Sequence, residues 1–269
     1  MGVVAVMLVG GLLAGVFGSL LGLGGGILIV PLLTLGFGLP VREAVGVSLV
    51  CVIMTSSAAA GVYLERDVAN LRLGMTLELF TATGALMGGA IAFLLDERVV
   101  AGLFTILLLY TAVSMLRRGH VQPAPGPAPD APRETGHAAA LAGPGYSVRN
   151  LPRASVLAVF AGVISALLGV GGGIVNVPVM NVVMRVPLRV ATATSNLMIG
   201  VTASAGAIAY LLRGGIDPYV AAPTAVGVFV GASIGSRTAH RVDPRLLRLL
   251  FVVVLLYTAL QMGRQALGV

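Results

Sequence analysis

Residues 20–33 read LLGLGGGILIVPLL, and residues 167–180 read LLGVGGGIVNVPVM. A single shift along the sequence aligns the first segment with the second, and the same shift aligns residues 14–112 with residues 161–259 without a gap. Self-similarity at a fixed offset over such a length is typical of a duplicated structural unit. The sequence therefore predicts two homologous repeats.

The composition indicates that the repeats lie in a membrane. The chain has 269 residues, of which 57% are hydrophobic and 10% charged, whereas soluble domains carry about 25% charged residues. Apolar stretches of about 20 residues recur from end to end, the length at which a helix crosses a hydrocarbon core. The short alternating segments typical of transmembrane β-barrels do not occur. We therefore predict an all-α polytopic membrane protein.

The charged and metal-ligating residues exclude several other classes. The 17 basic residues are all arginine and stand between apolar spans, as topology signals do, so nucleic-acid binding is not expected. Cys51 is the only cysteine, which rules out an intrachain disulfide or a cysteine cluster. The three histidines lie in loops or in the linker, which argues against a buried metal or haem. We expect no cofactor, no metal site and no enzymatic activity, since no nucleophile–base or protease motif lies within the apolar spans.

Three segments are predicted along the chain. Residues 1–118 form the first transmembrane repeat and residues 153–269 the second. Residues 119–152 are rich in Pro, Ala and Gly and predict a flexible linker. Each repeat contains four apolar stretches, at 3–36, 44–64, 73–95 and 99–116 in the first and at 154–184, 190–212, 218–236 and 246–262 in the second.

The first stretch of each repeat is too long for one crossing and is interrupted by glycines and then by proline. A helical hairpin or re-entrant pair turning at the glycines is predicted. With that hairpin, Arg117, Arg153 and the basic cluster 237–248 all lie on the cytoplasmic side, as does the linker, and both termini lie outside. Each repeat then makes an odd number of crossings, so the repeats are inverted. Four simple crossings per repeat in parallel arrangement is the alternative.

The glycine clusters have two interpretations. Glycines let membrane helices pack closely. Alternatively, they break the helix, so that a new half-helix begins with free N–H groups and a positive dipole end that attract an anion. A nucleotide loop is excluded because no soluble strand and no Walker lysine is present. The candidate binding glycines are Gly24, Gly25, Gly26, Gly171, Gly172 and Gly173.

Hydroxyl and amide side chains within the apolar spans are a second set of candidate binding groups. Unpaired amides are costly in hydrocarbon, so they should face protein or a wet cavity. Ile29 aligns with Asn176 and Leu49 with Asn196, which predicts an asymmetric site. Helix–helix hydrogen bonding is the alternative role. The candidates are Ser48, Thr55, Asn176, Ser195, Asn196 and Thr202.

Charged residues inside the spans are scarce. Glu78 either reaches the membrane surface or couples transport to protons, and Ala225 occupies its position in the second repeat. Arg42 and Arg189 follow matching prolines, where they either steer anions at the two mouths or anchor loops.

The two glycine-rich segments, each followed by a helix of small residues containing VGVSL (45–49) or ATATSN (191–196), resemble the sulfite exporter TauE/SafE family, also called toluene sulfonate uptake permeases. The resemblance covers nearly the whole chain except the linker. It implies an inner-membrane transporter for sulfite, sulfoacetate, sulfonates or other small organosulfur anions.

We therefore expect a secondary transporter of a small sulfur-containing anion, working by alternating access between the repeats, in a bacterial or archaeal inner membrane. Its partners are the anion, the lipid bilayer and, as a further option, a coupled proton or sodium ion. An anion channel of the same architecture and a transporter of another small anion are the alternatives.

Overall fold

The computed structural model describes residues 2–21, 25–65, 69–117, 141, 146–238 and 244–267, and its regular elements are helices. The first repeat contains α1 (Gly2–Leu21), α2 (Gly26–Pro31), α3 (Val41–Glu65), α4 (Leu71–Ala92) and α5 (Glu97–Arg117). The second contains α6 (Leu151–Leu168), α7 (Gly173–Pro178), α8 (Leu188–Leu211), α9 (Pro218–Thr238) and α10 (Pro244–Leu267). Gly24, most of the predicted linker and the Arg189 side chain lie outside the described residues.

Seven of the described helices are long and apolar enough to cross a membrane, namely α1, α3, α4, α5, α6, α9 and α10. Helix α8 is also long, with 24 residues, but its first half carries hydroxyl and amide side chains. Each predicted apolar stretch corresponds to one of these helices or, for the first stretch of a repeat, to a long helix followed by a short one. The prediction of an all-α polytopic membrane protein is confirmed.

The first apolar stretch of each repeat is broken at its glycines. Helix α2 starts after Gly25, at φ 73°, and α7 starts after Gly172, at φ 76°. Both values lie in the left-handed region, which glycine enters without a steric penalty. Pro31 and Pro178 end the α-helical part, and the chain continues as wider π-helical turns, because proline lacks the N–H that the regular ladder needs. We call these interruptions the first and the second helix break.

The helices pair between repeats more than within them. Helix α1 packs along α9 and α4 along α6, while α3 packs on α8 and α5 on α10. Exchanging each helix for its counterpart in the other repeat leaves this set of pairs unchanged. The bundle therefore has an approximate twofold axis that relates the repeats.

Counterpart helices run in opposite directions. A Cβ on Gly102 of α5 would lie 4.0 Å from the Ala266 Cβ of α10, and one on Gly263 would lie 3.4 Å from Thr105 Cγ2. Gly46, near the start of α3, similarly lies against Gly215, just beyond the end of α8. Antiparallel counterparts are the arrangement that inverted repeats produce.

Helices α1 and α9 run parallel and in backbone contact. A Cβ on Gly11 would overlap the backbone of Thr224, and one on Gly15, one turn later, would overlap that of Val228, one turn later on α9. Small residues at such spacing allow membrane helices to approach closely. Helices α4 and α6 make the same kind of backbone contact, because a Cβ on Gly84 would overlap the Val159 carbonyl.

These directions show where the chain turns back. Helix α9 is antiparallel to α8, since the connection 212–217 is too short to cross a membrane, and α8 is antiparallel to α3. Because α1 is parallel to α9, it has the same direction as α3. The chain between α1 and α3 therefore returns to the side on which α1 began, through the first helix break and α2.

Candidate functional site

The two helix breaks touch each other in the centre of the bundle. A Cβ on Gly26 would overlap the Gly169 carbonyl and would lie 3.0 Å from Val170 Cα. The Ser48 hydroxyl donates to the Gly169 carbonyl over 2.7 Å and to the Gly26 carbonyl over 3.4 Å. One α3 side chain thus joins both breaks, and the Ser48 hydroxyl is engaged with the backbone.

Polar side chains from three helices lie at the second helix break. A Cβ on Gly172 would lie 3.5 Å from both Ser165 Oγ of α6 and Asn176 Nδ2 of α7. A Cβ on Gly173 would lie 3.6 Å from Ser195 Oγ of α8. These three residues are 1–2% exposed. Two adjacent glycines therefore leave room beside three hydrogen-bonding groups.

None of these three groups has a hydrogen-bond partner in the described part of the chain, and neither has Asn196 Nδ2 on the next residue of α8. Leaving a buried donor unpaired costs about 1–3 kcal/mol. Hydroxyl and amide hydrogens are donors to a ligand oxygen. The arrangement therefore fits a ligand rich in acceptor oxygens.

The start of α7 adds backbone donors to this group. The Gly172 carbonyl accepts from the N–H groups of Val175 and Asn176, over 3.1 and 2.9 Å. The N–H groups of Gly173 and Ile174 precede this first intrahelical bond and so have no partner within the helix. The helix dipole makes this end partly positive. Both contributions favour an anion.

The first helix break is apolar by comparison. Gly18, Ile29 and Leu49 align with Ser165, Asn176 and Asn196, and Ile29 and Leu49 are fully buried. Thr55 lies beside Gly25, with its Cγ2 3.3 Å from where a Cβ would stand, and its hydroxyl donates to the Val52 carbonyl. The polar groups are therefore concentrated at one break, an asymmetry that the aligned repeats indicated.

Three other predicted residues lie away from the second break. The Thr202 hydroxyl donates to Glu78 Oε1 over 2.8 Å, between α8 and α4. Arg42 donates to the Leu95 carbonyl over 3.0 Å and stands 5.3 Å from the Phe93 ring, which favours loop anchoring. Arg213 lies at the same distance from that ring, so two guanidinium groups flank one aromatic side chain.

Ser165 was not predicted from the sequence. It lies four residues before Gly169, so one helical turn separates it from the break. A signal was present, because the aligned residue in the first repeat is Gly18. At this position, one turn before the glycine cluster that both repeats share, one repeat has a hydroxyl and the other has no side chain. Such a difference indicates a position where the repeats differ in function.

Interrupted helices that meet at the centre of a two-repeat bundle, with buried hydrogen-bonding groups at the interruption, define a polytopic membrane transporter. The sequence profile of the sulfite exporter TauE/SafE family matches residues 7–262. The chain therefore belongs to the sulfite exporter TauE/SafE family.

Relatives that align with most of the chain are described as probable membrane transporter proteins. The chain is 24% identical to the probable membrane transporter protein YunE of Bacillus subtilis, over 96% of each chain. It is 25% identical to a probable membrane transporter protein of Methanocaldococcus jannaschii, over 93% of this chain and 91% of the relative. One from Xylella fastidiosa is 28% identical over 86% and 83%. No solved structure is significantly similar to the chain.

Proposed function

We propose that this protein is a secondary transporter of a small sulfur-containing oxyanion, which binds at the second helix break. The observation that carries the proposal is the convergence of Ser165, Asn176 and Ser195 on Gly172 and Gly173, all three buried and without a partner among the described residues. A sulfite or sulfonate group presents several acceptor oxygens. It matches a site built from side-chain and backbone donors.

The sulfur in the proposal comes from the family, whose name is that of a sulfite exporter. The geometry supports the wider class of small oxyanions. The described residues place no arginine within the site, so its donors are neutral hydroxyl, amide and backbone N–H groups. Sulfite, thiosulfate and short sulfonates are therefore the first substrates to test.

The arrangement of the repeats supports a mechanism of alternating access. Inverted repeats exchange roles when one conformation opens to the inside and the other to the outside. The binding site lies where the two helix breaks touch, so a shift of one repeat against the other opens it to alternate sides. In this scheme the chain lies in a bacterial or archaeal inner membrane, with the linker cytoplasmic and both termini outside. Arg42 anchors a loop, and Arg189 either attracts anions at a mouth or anchors a loop as well.

The test is exchange of radiolabelled sulfite, thiosulfate and sulfoacetate in proteoliposomes, loaded with the same unlabelled anion. Three variants replace a polar residue by its counterpart in the first repeat: Ser165→Gly, Asn176→Ile and Asn196→Leu. Ser155→Ala on α6 is the control, because that hydroxyl donates to the Leu151 carbonyl, away from the break.

Saturable exchange of at least one sulfur anion, lowered in the three variants and kept in the control, is the expected result. Absence of exchange for all three anions contradicts the substrate assignment. Flux that rises linearly with concentration, without saturation, favours a channel instead.

A further inference from the structure

Glu78 is a carboxyl buried within the bundle. It lies on α4, is 7% exposed and accepts a 2.8 Å hydrogen bond at Oε1 from the Thr202 hydroxyl of α8. Its second oxygen, Oε2, is buried without a hydrogen-bond partner among the described residues. An ionisable side chain inside a membrane span is costly and commonly marks a path for ions or protons.

No described basic residue forms an ion pair with Glu78. Arg72, the arginine nearest along α4, is exposed, whereas Glu78 is buried, so the carboxyl does not reach the surface beside it. The helices packed against α4 are α6 and α8. The charged and titratable residues of these helices and of the segment before α6 stand near the helix ends: Tyr146, Arg149, Arg153, Arg189 and Tyr210.

Helix α8 links Glu78 to the second helix break. Ser195, Ile199 and Thr202 recur at helical spacing and share one face of α8. Ile199 packs against the glycines of the break, since a Cβ on Gly173 would lie 2.5 Å from its Cδ1. A displacement of α8 that moves Ser195 at the anion site therefore also moves Thr202 at the carboxyl.

Helix α6 makes a second link. Gly162 of α6 packs on the Thr81 carbonyl, one turn beyond Glu78 on α4. Ser165 follows Gly162 by three residues and so lies one turn further along α6. Helices α6 and α8 therefore each contact the helix that carries Glu78 and also contribute a side chain to the second break.

We propose that Glu78 carries one proton across the membrane together with each anion. This inference rests on the proposed function. An anion at the break and a carboxylate at Glu78 repel each other in a medium of low dielectric. Protonation of the carboxylate removes the repulsion, so the anion and the proton favour each other's binding by reciprocal linkage.

The cycle balances in charge and atoms. On the side where the anion enters, the Glu78 carboxylate takes a proton from water and becomes a neutral carboxyl. On the other side the carboxyl returns the proton to water as the anion leaves. One proton and one anion cross together, and a proton gradient therefore drives accumulation of the anion.

The experiment compares two assays in proteoliposomes with radiolabelled sulfite: exchange without any gradient, and net uptake driven by an inward proton gradient. Glu78→Gln is the first variant, because glutamine resembles the neutral carboxyl and carries no proton. Glu78→Ala is the second, because the second repeat has Ala225 at this position. Glu97→Gln, at the start of α5, is the control.

The wild type and the control are expected to show exchange, gradient-driven uptake and proton entry reported by an internal pH dye. Both Glu78 variants are expected to keep exchange, while their gradient-driven uptake falls to the level seen without a gradient. Thr202→Val is expected to change the external pH of half-maximal uptake.

Three outcomes overturn the inference. They are gradient-driven uptake in Glu78→Gln equal to wild type, uptake driven by a sodium gradient instead, and loss of exchange together with uptake in both Glu78 variants. Absence of exchange of sulfite, thiosulfate and sulfoacetate in the wild type contradicts the proposed function itself, which keeps the two failures distinct.

Discussion

The Ser48 hydroxyl donates a 2.7 Å hydrogen bond to the carbonyl of Gly169, so a helix of the first repeat holds the second helix break in place. Ser195 is the equivalent residue of the second repeat, and its hydroxyl has no partner in the described part of the chain. Two serines that the sequence aligns therefore differ in role. One supports the backbone, and the other remains available to a ligand.

Substituting the two serines separates these roles. Ser48→Ala leaves the Gly169 carbonyl unpaired, so we expect it to lower the free energy of unfolding by about 1–3 kcal/mol. Ser195→Ala removes no existing hydrogen bond and is expected to leave the unfolding temperature unchanged while weakening anion binding. Thermal unfolding in detergent, with and without sulfite, measures both effects. Equal destabilisation by the two variants would contradict the assignment.

The amide of Asn176 is expected to be a main contact of the anion. A hydrogen bond to a charged group contributes about 1.5–3 kcal/mol, so Asn176→Ile should weaken binding by tenfold or more. The reverse substitution, Ile29→Asn, places an amide at the first break and is expected to leave the affinity of the second break unchanged. Inhibition of sulfite exchange by unlabelled sulfite gives both affinities. A normal affinity in Asn176→Ile would remove this residue from the site.

The contact between the two helix breaks leaves no room for a side chain at Gly26. Because a Cβ there would overlap the Gly169 carbonyl, Gly26→Ala forces the two breaks apart. We expect loss of more than about 2 kcal/mol of stability, as for other overpacked core positions. Gly36→Ala is the matched control, since a Cβ there would meet only Leu32 Cδ1, at 3.9 Å. Yield and thermal unfolding of the two variants test the difference.

The antiparallel packing of α5 and α10 is open to cross-linking. The distance of 4.0 Å between a Cβ on Gly102 and that of Ala266 suits a disulfide. In a Cys51→Ser background, Gly102→Cys with Ala266→Cys is expected to form an intramolecular disulfide on mild oxidation. Gly102→Cys with Leu249→Cys, at the equivalent position of the second repeat, is expected not to. The opposite pattern would contradict the inverted arrangement.

The sequence was sufficient to predict the features that depend on local pattern. Hydropathy and the repeat alignment predicted the helices, and the paired glycines and prolines predicted both breaks, because each of these effects acts within a few residues. The alignment of Ile29 with Asn176 also indicated that one break would be less polar than the other.

The features that depend on contacts between repeats could not be predicted. The bond from Ser48 to Gly169 requires the packing of α3 on the second break, and the pair of Glu78 with Thr202 requires the packing of α4 on α8. Neither follows from spacing along the chain. Ser165 was missed although it lies in the same repeat as Asn176, because its alignment with Gly18 becomes informative only once the fold brings α6 beside Asn176.

The central claim, that the second helix break binds an oxyanion, is tested most directly by equilibrium binding of radiolabelled sulfite to purified wild-type protein and to Asn176→Ile. We predict saturable binding at one site per chain, competed by thiosulfate or a short sulfonate and lost in the variant, while Ser155→Ala binds normally. Saturable binding that Asn176→Ile and Ser165→Gly both leave unchanged would place the anion elsewhere in the bundle and contradict the account.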